Sequence, residues 1–328
     1  MTVTISDKPR LSLPETRKGA FLHESPDGTP PELSISGTGE GHLTSYRVSA
    51  CAVATYIELY GDSLDFEHPA AHESLGIFYL AEGRVGWEMA GGENVFLGEG
   101  SLTVHHRALC ARSRFLMPLH HCRAFSLTLD LSSLSASCLT LFEELHVSPK
   151  AFKERYGGER PCALPPSSVL ERLFAPLLEV KSSLRAPLLN IKVPEILFYL
   201  ITREDRAPPA HGYPQRVTSK IREVESYLSS HLNERLTLGE VAARFAMNVT
   251  TLKEVFKAVF GISPGAYLKR CRMQEATRLL QGELSIAGVA AKLGYISQSK
   301  FTAAFKEEYG LTPTLYRRQL KEGRDLRA

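Results

Sequence analysis

Near the C-terminus, two segments place lysines and hydroxyl side chains three and four residues apart, the spacing that aligns side chains on one face of an α-helix. Lysine ammonium groups bind phosphates and guanine edges, and hydroxyls bind bases or phosphates. Such a row on an exposed helix is typical of a surface that enters a major groove, although an ordinary solvated face is the alternative. The residues are Thr250, Lys253, Glu254 and Lys257 in the first segment and Ser299, Lys300, Thr302, Ala303 and Lys306 in the second.

The two segments belong to a duplicated pattern. FKAVFGISPGAY (256–267) matches FKEEYGLTPTLY (305–316) at an offset of 49 residues. Upstream, VAARFAM (241–247) matches VAAKLGY (289–295) at an offset of 48. A repeated match of this kind marks a repeated structural unit. Because the offset changes between the two blocks, the turn of one copy is predicted to be one residue longer than that of the other.

Each copy has the start and stop signals of two short helices joined by a turn. Thr237, followed by Glu240, predicts a capping box, and Asn248 is predicted to cap the second helix, which Gly261 ends. Ser285 is predicted to cap the first helix of the second copy. Between the copies, residues 264–281 predict one connecting helix. The predicted inward side chains are Val241, Ala242, Phe245, Leu252, Val255, Phe256 and Phe260, and then Val289, Ala290, Leu293, Phe301, Ala304, Phe305 and Tyr309.

Charge is distributed unevenly along the chain. The 328-residue sequence has a formal net charge of +3, but residues 215–328 carry 19 Lys+Arg and 11 Asp+Glu, which leaves the remainder at −5. A basic C-terminal third in an otherwise acidic chain indicates that this third binds a polyanionic partner. Basic side chains outside the two recognition segments are predicted to contact backbone phosphates. They are Lys269, Arg270, Arg317 and Arg318.

The segment from LTLGEVAARF to LTPTLYRR resembles the DNA-binding domain of the AraC/XylS family of bacterial regulators, over about 100 residues from near Val217 to Arg318. Its second half, LSIAGVAAKLGY…SKFTAAFKEEYGLTPTLYR, follows the family signature closely, except that Gly288 stands where relatives more often carry an acidic or polar helix former. The resemblance implies a cytoplasmic, non-enzymatic regulator, usually an activator. The implied partners are double-stranded promoter DNA, RNA polymerase and often a second copy of the chain, with the two outward faces in successive major grooves.

The preceding residues predict an α+β architecture ahead of an all-α double helix-turn-helix domain at 217–320. Residues 1–42, rich in Pro, Gly, Ser and Thr, are predicted to form a loosely ordered lead-in, and 206–216 a linker. Residues 43–205 predict a cupin-like β-barrel or sandwich with appended helices. Strand breaks are expected at Glu82-Gly83, Gly91-Gly92 and Glu99-Gly100, and helices at 134–147, 167–184 and 193–204.

This layout is similar to the sensor domains of the family, which implies a small-molecule effector. LKEVFKAVFG and SKFTAAFKEEYG are similar to relatives that sense a ferric siderophore. Histidine doublets suggest a metal, but the HxH run followed by Glu of catalytic cupins is missing, so neither metal nor cofactor is predicted. The candidate pocket residues, for which core packing is the alternative, are Phe78, Trp87, Phe96, His105 and His120.

A subunit contact is predicted on the helix at 193–204, although packing on its own barrel is the alternative. The residues proposed for this contact are Ile196, Leu197, Leu200 and Ile201. Six scattered cysteines without a CxxC pair, and no secretory signal, favour reduced thiols. No apolar stretch approaches the roughly 20 residues that span a bilayer.

Three functions are therefore considered for the whole chain. The favoured one is a ligand-responsive transcription regulator. The second is a regulator controlled by a partner protein that docks on the N-terminal domain. The third is a cupin-type metalloenzyme fused to a DNA-binding module, which requires convergent metal ligands or a nucleophile with its base.

Overall fold

The computed structural model describes residues 20–28, 34–70, 73–89, 91–132, 142–143, 148–205 and 207–321. The chain divides into two compact units, Met1–Pro214 and Gln215–Ala328. The first is β-rich with added helices and the second is helical, which confirms the predicted fold class. Across the described ranges, every helix is too short or too polar to cross a lipid bilayer. The helix predicted at 134–147 falls almost entirely outside the described residues.

The N-terminal unit is built on one ten-stranded sheet. β3 pairs with β8 over residues 52–60 and with β7 over 63–67. β4 pairs with β8 over residues 74–83 and with β7 at 86–87. Because β3, β8, β4 and β7 pair in a closed circuit, the sheet forms the predicted barrel. The strands are β1 (Ala20–Glu24), β2 (Ser34–Ser49), β3 (Ala52–Glu67), β4 (Ser74–Glu88), β5 (Glu93–Gly98), β6 (Leu102–His106), β7 (Arg112–Leu116), β8 (His121–Asp130), β9 (Cys162–Leu164) and β10 (Gly212–Pro214).

The prediction of a loosely ordered lead-in over 1–42 is wrong where the chain is described. Strand β1 pairs in parallel with β2, and β2 pairs with β3 along its length. The glycines that suggested a loop are needed for close strand packing. A Cβ on Gly39 would lie 2.4 Å from the Tyr60 carbonyl oxygen, and a Cβ on Gly41 would lie 2.4 Å from Leu59 Cδ2. Residues 1–19 and 29–33 lie outside the described ranges.

One predicted strand break is also wrong. The chain does not turn at Glu82-Gly83 but continues as β4, with a bulge between Leu80 and Glu82. Gly83 has φ of +91°, and a Cβ there would lie 2.2 Å from the His121 carbonyl oxygen, so glycine permits the bulge and not a reversal. The turns predicted at Gly91-Gly92 and Glu99-Gly100 are confirmed, with positive φ at Gly92 and Gly100.

Three helices pack on the barrel: α1 (Pro149–Tyr156), α2 (Ser168–Glu179) and α3 (Arg185–Thr202). Helices α2 and α3 contact each other, and the Phe174 ring of α2 stacks on Tyr79 of β4 at a centroid distance of 4.2 Å. The subunit contact predicted on α3 is contradicted. Ile196, Leu197 and Leu200 are buried in the core of their own unit. Ile201 is half-buried against the same core, because this face of α3 covers the barrel.

The predicted linker 206–216 contains the boundary between the units but is partly structured. Strand β10 pairs antiparallel with β5, so residues 212–214 belong to the N-terminal sheet. The expectation of reduced thiols throughout is wrong at Cys51, which forms a disulfide bond. Sequence spacing carries no information about which sulfur atoms the fold brings together. The free thiols are Cys110, Cys122, Cys162 and Cys271, and Cys138 lies outside the described residues.

In the described part of the C-terminal unit, residues 215–321, every regular element is a helix. Helix α4, which the sequence analysis did not single out, buries Ile221, Val224 and Leu228 against the helices that follow. It contacts α6 and α7 and so completes the first helix-turn-helix. The helices are α4 (Gln215–Ser230), α5 (Leu238–Arg244), α6 (Val249–Phe260), α7 (Pro264–Leu280), α8 (Ile286–Lys292), α9 (Gln298–Tyr309) and α10 (Pro313–Lys321).

Candidate nucleic-acid interface

The first helix-turn-helix comprises α5 and α6. Thr237 and Glu240 form the predicted capping box, with the Thr237 amide donating to the Glu240 carboxylate at 2.8 Å. These hydrogen bonds hold the pKa of Glu240 below its usual value. The Asn248 side chain accepts from the Thr251 amide at 2.7 Å and caps α6, and Gly261 ends that helix with φ of +81°. The predicted caps of this copy are therefore confirmed.

The second helix-turn-helix comprises α8 and α9. Ser285 caps α8 as predicted, and its hydroxyl accepts from the Gly288 amide at 3.0 Å. Ser297 caps α9, and Gly310 ends that helix with φ of +71°. Four residues separate α5 from α6, and five separate α8 from α9. The predicted one-residue difference between the two turns is thereby confirmed.

The inner faces of the two recognition helices are apolar and buried. In α6 the buried set includes Leu252, Val255 and Phe256, as predicted, together with Val259. In α9, Phe301 and Phe305 are fully buried, and their rings lie 5.8 Å apart between centroids. Because these faces anchor each helix in its own small core, the opposite faces are held outward.

Those opposite faces are polar and accessible to solvent. Among the described residues, Lys253, Lys257, Lys300 and Lys306 form no ion pair. Glu254 likewise forms no ion pair with Lys257, so it is not simply neutralised by that neighbour. Exposed ammonium groups without an internal counter-ion are suited to bind phosphates. The exposed predicted residues are Thr250, Lys253, Glu254, Lys257, Ser299, Lys300, Ala303 and Lys306, and Thr302 is half-buried.

The four basic residues that are predicted to contact DNA phosphates have different surroundings. Lys269 forms an ion pair with Glu307 of α9, with Nζ and Oε2 2.9 Å apart. Arg317 is half-buried and its Nε donates to the Leu280 carbonyl at 3.1 Å, which ties α10 to the end of α7. Arg270 is half-buried and Arg318 is exposed. Lys269 and Arg317 therefore have partners within the unit, which the sequence pattern did not reveal.

Two exposed residues at the start of α9 were missed by the sequence analysis. Gln298 is exposed at the first position of the helix, and Ile296 is 64% exposed in the turn before it. Residues at the N-terminus of a recognition helix reach base edges, where an amide pairs with adenine and an apolar group contacts the thymine methyl. The signal that identifies them is the Ser297 cap, because it sets where α9 begins.

The predicted ligand pocket does not form one site. The rings of Phe78 and Trp87 pack edge-to-face with Phe115 in the core. Phe96 lies over Gly86, where a Cβ would be 2.5 Å from the Phe96 ring, so it faces away from the Phe78 cluster.

The two histidines of that set differ. His105 is buried, with Nε2 3.3 Å from Cys110 Sγ and its ring centroid 6.5 Å from that of Trp87. The prediction that His120 lines a pocket is wrong. His120 lies in the turn before β8, with φ of +61°, and pairs with Asp62 at the surface. Within the described ranges, no group of three or more His, Cys, Asp or Glu side chains is arranged to hold a metal ion.

Residues 241–319 match the family described as a helix-turn-helix domain. The chain is 27% identical over 137 residues to the HTH-type transcriptional regulator ExsA of Pseudomonas aeruginosa, covering 41% of this chain and 48% of ExsA. It is 35% identical over 92 residues to the virulence regulon transcriptional activator VirF of Yersinia enterocolitica, covering 28% of this chain and 34% of VirF.

Among solved structures, the chain is similar to the C-terminal domain of AraT, a response regulator from Geobacillus stearothermophilus. That match has 34% identity and a TM-score of 0.31, and it covers 32% of this chain and 88% of the other. The chain spans about half or less of the length of the two curated relatives.

Proposed function

The C-terminal unit of this chain is an AraC-type helix-turn-helix domain, and from that premise we propose that the protein is a sequence-specific transcriptional regulator of double-stranded promoter DNA. The observation that carries the proposal is the pair of capped helices, α6 and α9, each buried on one face and lined with exposed lysines on the other. Both are joined to the same connecting helix, α7, so a single protomer presents two basic ridges.

Base recognition is assigned to the middle of each ridge. Lys253 and Lys257 on α6 and Lys306 on α9 have the length to reach guanine edges or phosphates. Glu254 is suited to accept from the cytosine amino group. The hydroxyls of Thr250, Ser299 and Thr302, with Lys300 and the small side chain of Ala303, complete the two surfaces. Arg270 and Arg318 are assigned to phosphates. Arg317 ties α10 to the end of α7, and Lys269 pairs with Glu307 at the surface of the unit.

The test uses DNA that the protein itself selects. The full chain is incubated with a pool of random-sequence duplexes, bound DNA is enriched over several rounds, and affinity is measured by gel shift. Lys253→Ala is expected to relax preference at one base position and to weaken binding to the selected sequence by about tenfold. The matched control is Lys150→Ala, which removes an exposed lysine from α1 of the other unit.

Two outcomes contradict the proposal. One is that no sequence is enriched at low salt. The other is that Lys150→Ala weakens binding as much as Lys253→Ala does, which would mean that net charge alone drives the association.

We further propose that the N-terminal unit is regulatory, that it responds to a small-molecule effector and that it activates transcription with RNA polymerase. The sole tryptophan, Trp87, is half-buried against the apolar core of this unit, so its fluorescence is a suitable probe of changes there when an effector is added to the intact chain. A shift of the unfolding midpoint with a ferric siderophore or with one of a panel of metabolites supports this proposal. If only a partner protein raises the midpoint of unfolding, the result supports a regulator controlled by a protein that docks on the N-terminal unit.

The regulator is also proposed to act as a homodimer. Helix α3 and the residue before it carry exposed apolar side chains at intervals of seven: Leu184, Ile191 and Phe198 are 54%, 67% and 52% exposed. A seven-residue repeat returns to one helix face, so these side chains form an exposed apolar stripe that a partner surface would cover. This face is opposite to the one for which the sequence predicted the contact. A second copy of the chain is its proposed occupant.

A further inference from the structure

Arg272 lies at the centre of the connecting helix α7 and is half-buried. Its Nε donates to the Leu232 carbonyl at 2.9 Å, and its Nη2 donates to the Glu234 carbonyl at 2.6 Å. Both acceptors lie in the segment between α4 and α5 of the first helix-turn-helix. The guanidinium carbon is also 5.8 Å from the centroid of the Tyr295 ring, in the turn of the second helix-turn-helix. One side chain therefore contacts both copies of the repeat.

The same place is a close backbone contact between the copies. Gly294 in the second turn has φ of +73°, and a Cβ there would lie 2.7 Å from the Asn233 carbonyl oxygen and 3.1 Å from Arg272 Nη2. The second turn is thus seated directly against the loop that precedes α5. Residues 232–234 of that loop are held by Arg272 on one side and by Gly294 on the other.

The two halves of α7 serve different cores. Tyr267 in the first half packs on Phe256 and Phe260 of α6. In the second half, Met273 and Ala276 belong to the cluster that contains Phe301 and Phe305 of α9. Arg272 bridges the point along α7 where one set of contacts gives way to the other.

We propose that Arg272 is a positioning residue that fixes α6 relative to α9 and thereby sets the spacing between the two DNA segments that one protomer accepts. The inference rests on the proposed function. A planar guanidinium with directed donors holds two carbonyls and faces a ring at once, whereas an ammonium group at the same place lacks that fixed geometry. The ion pair between Lys269 of α7 and Glu307 of α9 is at the surface, with Glu307 72% exposed, and is expected to contribute little to this positioning.

The experiment uses the DNA enriched by the wild-type full chain, with one or two base pairs inserted or deleted between the two adjacent segments that α6 and α9 of one protomer contact. One added pair shifts the segments by about 3.4 Å and rotates them by about 35°. The wild-type protein is expected to lose about tenfold or more in affinity for each changed pair. Arg272→Lys is expected to bind the original spacing more weakly and to lose less than about threefold on the same change.

A second variant addresses the case in which Arg272→Lys fails to fold. Gly294→Ala and Gly310→Ala both place a Cβ at nearly the same positive φ, +73° and +71°, but open space surrounds the new Cβ only at Gly310. We call the dependence of affinity on the number of base pairs between the two segments the spacing profile. Gly294→Ala is expected to flatten this profile as Arg272→Lys does, whereas Gly310→Ala is expected to preserve it. Thermal unfolding of each variant establishes that it is folded at the assay temperature.

The outcomes separate this inference from the proposed function. If the wild-type protein enriches no sequence, the proposed function fails and this inference with it. If the wild-type protein shows a sharp spacing profile and the folded Arg272→Lys and Gly294→Ala proteins show the same profile, this inference alone is overturned. A flattened profile in Gly310→Ala would also overturn it, because strain in one turn would then suffice.

Discussion

Ala246 and Gly294 occupy equivalent positions in the turns of the two helix-turn-helix units, and both have positive φ, +49° and +73°. Glycine adopts this conformation without steric cost, whereas an alanine there is strained. The second copy of the repeat thus has the residue that its turn requires, and the first copy does not. Because the Ala246 side chain is exposed, nothing in its packing offsets the strain.

We expect Ala246→Gly to stabilise the C-terminal unit by about 1 kcal/mol, because it relieves the left-handed strain at the cost of some unfolded-state entropy. Thermal unfolding followed by circular dichroism measures the change. Ala243→Gly is the matched control, since Ala243 is also exposed but lies within helix α5, where glycine costs about 1 kcal/mol. Equal effects of the two substitutions would contradict the assignment.

At Gly288 the second copy lacks the capping glutamate that the first copy has at Glu240. Thr237 and Glu240 form a capping box on α5, while Ser285 and Gly288 provide only half of one on α8. Gly288→Glu is expected to raise the free energy of unfolding by about 1 to 1.5 kcal/mol, through helix propensity and a restored capping box. Gly288→Ala measures the contribution of helix propensity alone, because alanine cannot form the capping box. If the two variants are equally stable, the restored box contributes nothing.

The C-terminal unit follows from its sequence because its signals are local. Caps such as Thr237 and Asn248 act within three residues, and the offset between two blocks of the repeat is sufficient to predict the longer turn. The exposed face of α6 follows from the apolar spacing on its other side. The contacts of Arg272 with Leu232 and Glu234 do not follow, since they join residues about 40 apart through a backbone carbonyl that carries no sequence signal.

The N-terminal unit was predicted less well for a related reason. Gly39 and Gly83 suggested a loop and a turn, yet each is a glycine because a neighbouring strand approaches too closely for a side chain. On α3, one apolar face packs on the barrel and another is exposed, and periodicity alone does not distinguish them. Ile196 and Ile191 illustrate the two outcomes, at 1% and 67% exposure.

The buried His105 predicts that the N-terminal unit is acid-sensitive. Burial, with further effects from His68, His106 and Arg107, lowers the pKa of His105 from 6.5 to about 4. Below pH 6.5 the unfolded chain takes up a proton that the folded chain rejects down to about pH 4. The contribution of His105 to stability is therefore complete above pH 6.5 and is lost as the pH falls towards 4, by up to about 3 kcal/mol.

Urea unfolding followed by Trp87 fluorescence at pH 7 and pH 4.5 measures this loss. His105→Gln removes the titrating group and is expected to flatten the difference between the two pH values. The exposed His211 provides the control, and His211→Gln is expected to leave the difference unchanged. An unaltered pH dependence in His105→Gln would contradict the prediction.

Ile191→Glu is expected to convert a dimer into a monomer, because it places a charge at the centre of the exposed apolar repeat on α3. Light scattering after size-exclusion chromatography gives the mass directly. Leu22→Glu is the matched control, since Leu22 is 55% exposed on β1, away from that repeat. A wild-type protein that is monomeric at tens of micromolar, or an Ile191→Glu protein that stays dimeric, contradicts the proposed interface.

The central claim, that one protomer reads DNA with α6 and α9 together, is tested most directly by guanine-methylation interference on the selected DNA with the Ile191→Glu protein. Methylation at guanine N7 blocks major-groove contacts, so we expect interference in two clusters about one helical turn apart. Lys257→Ala should erase one cluster and Lys306→Ala the other. Interference confined to a single groove, or a pattern that both variants change identically, would contradict the account.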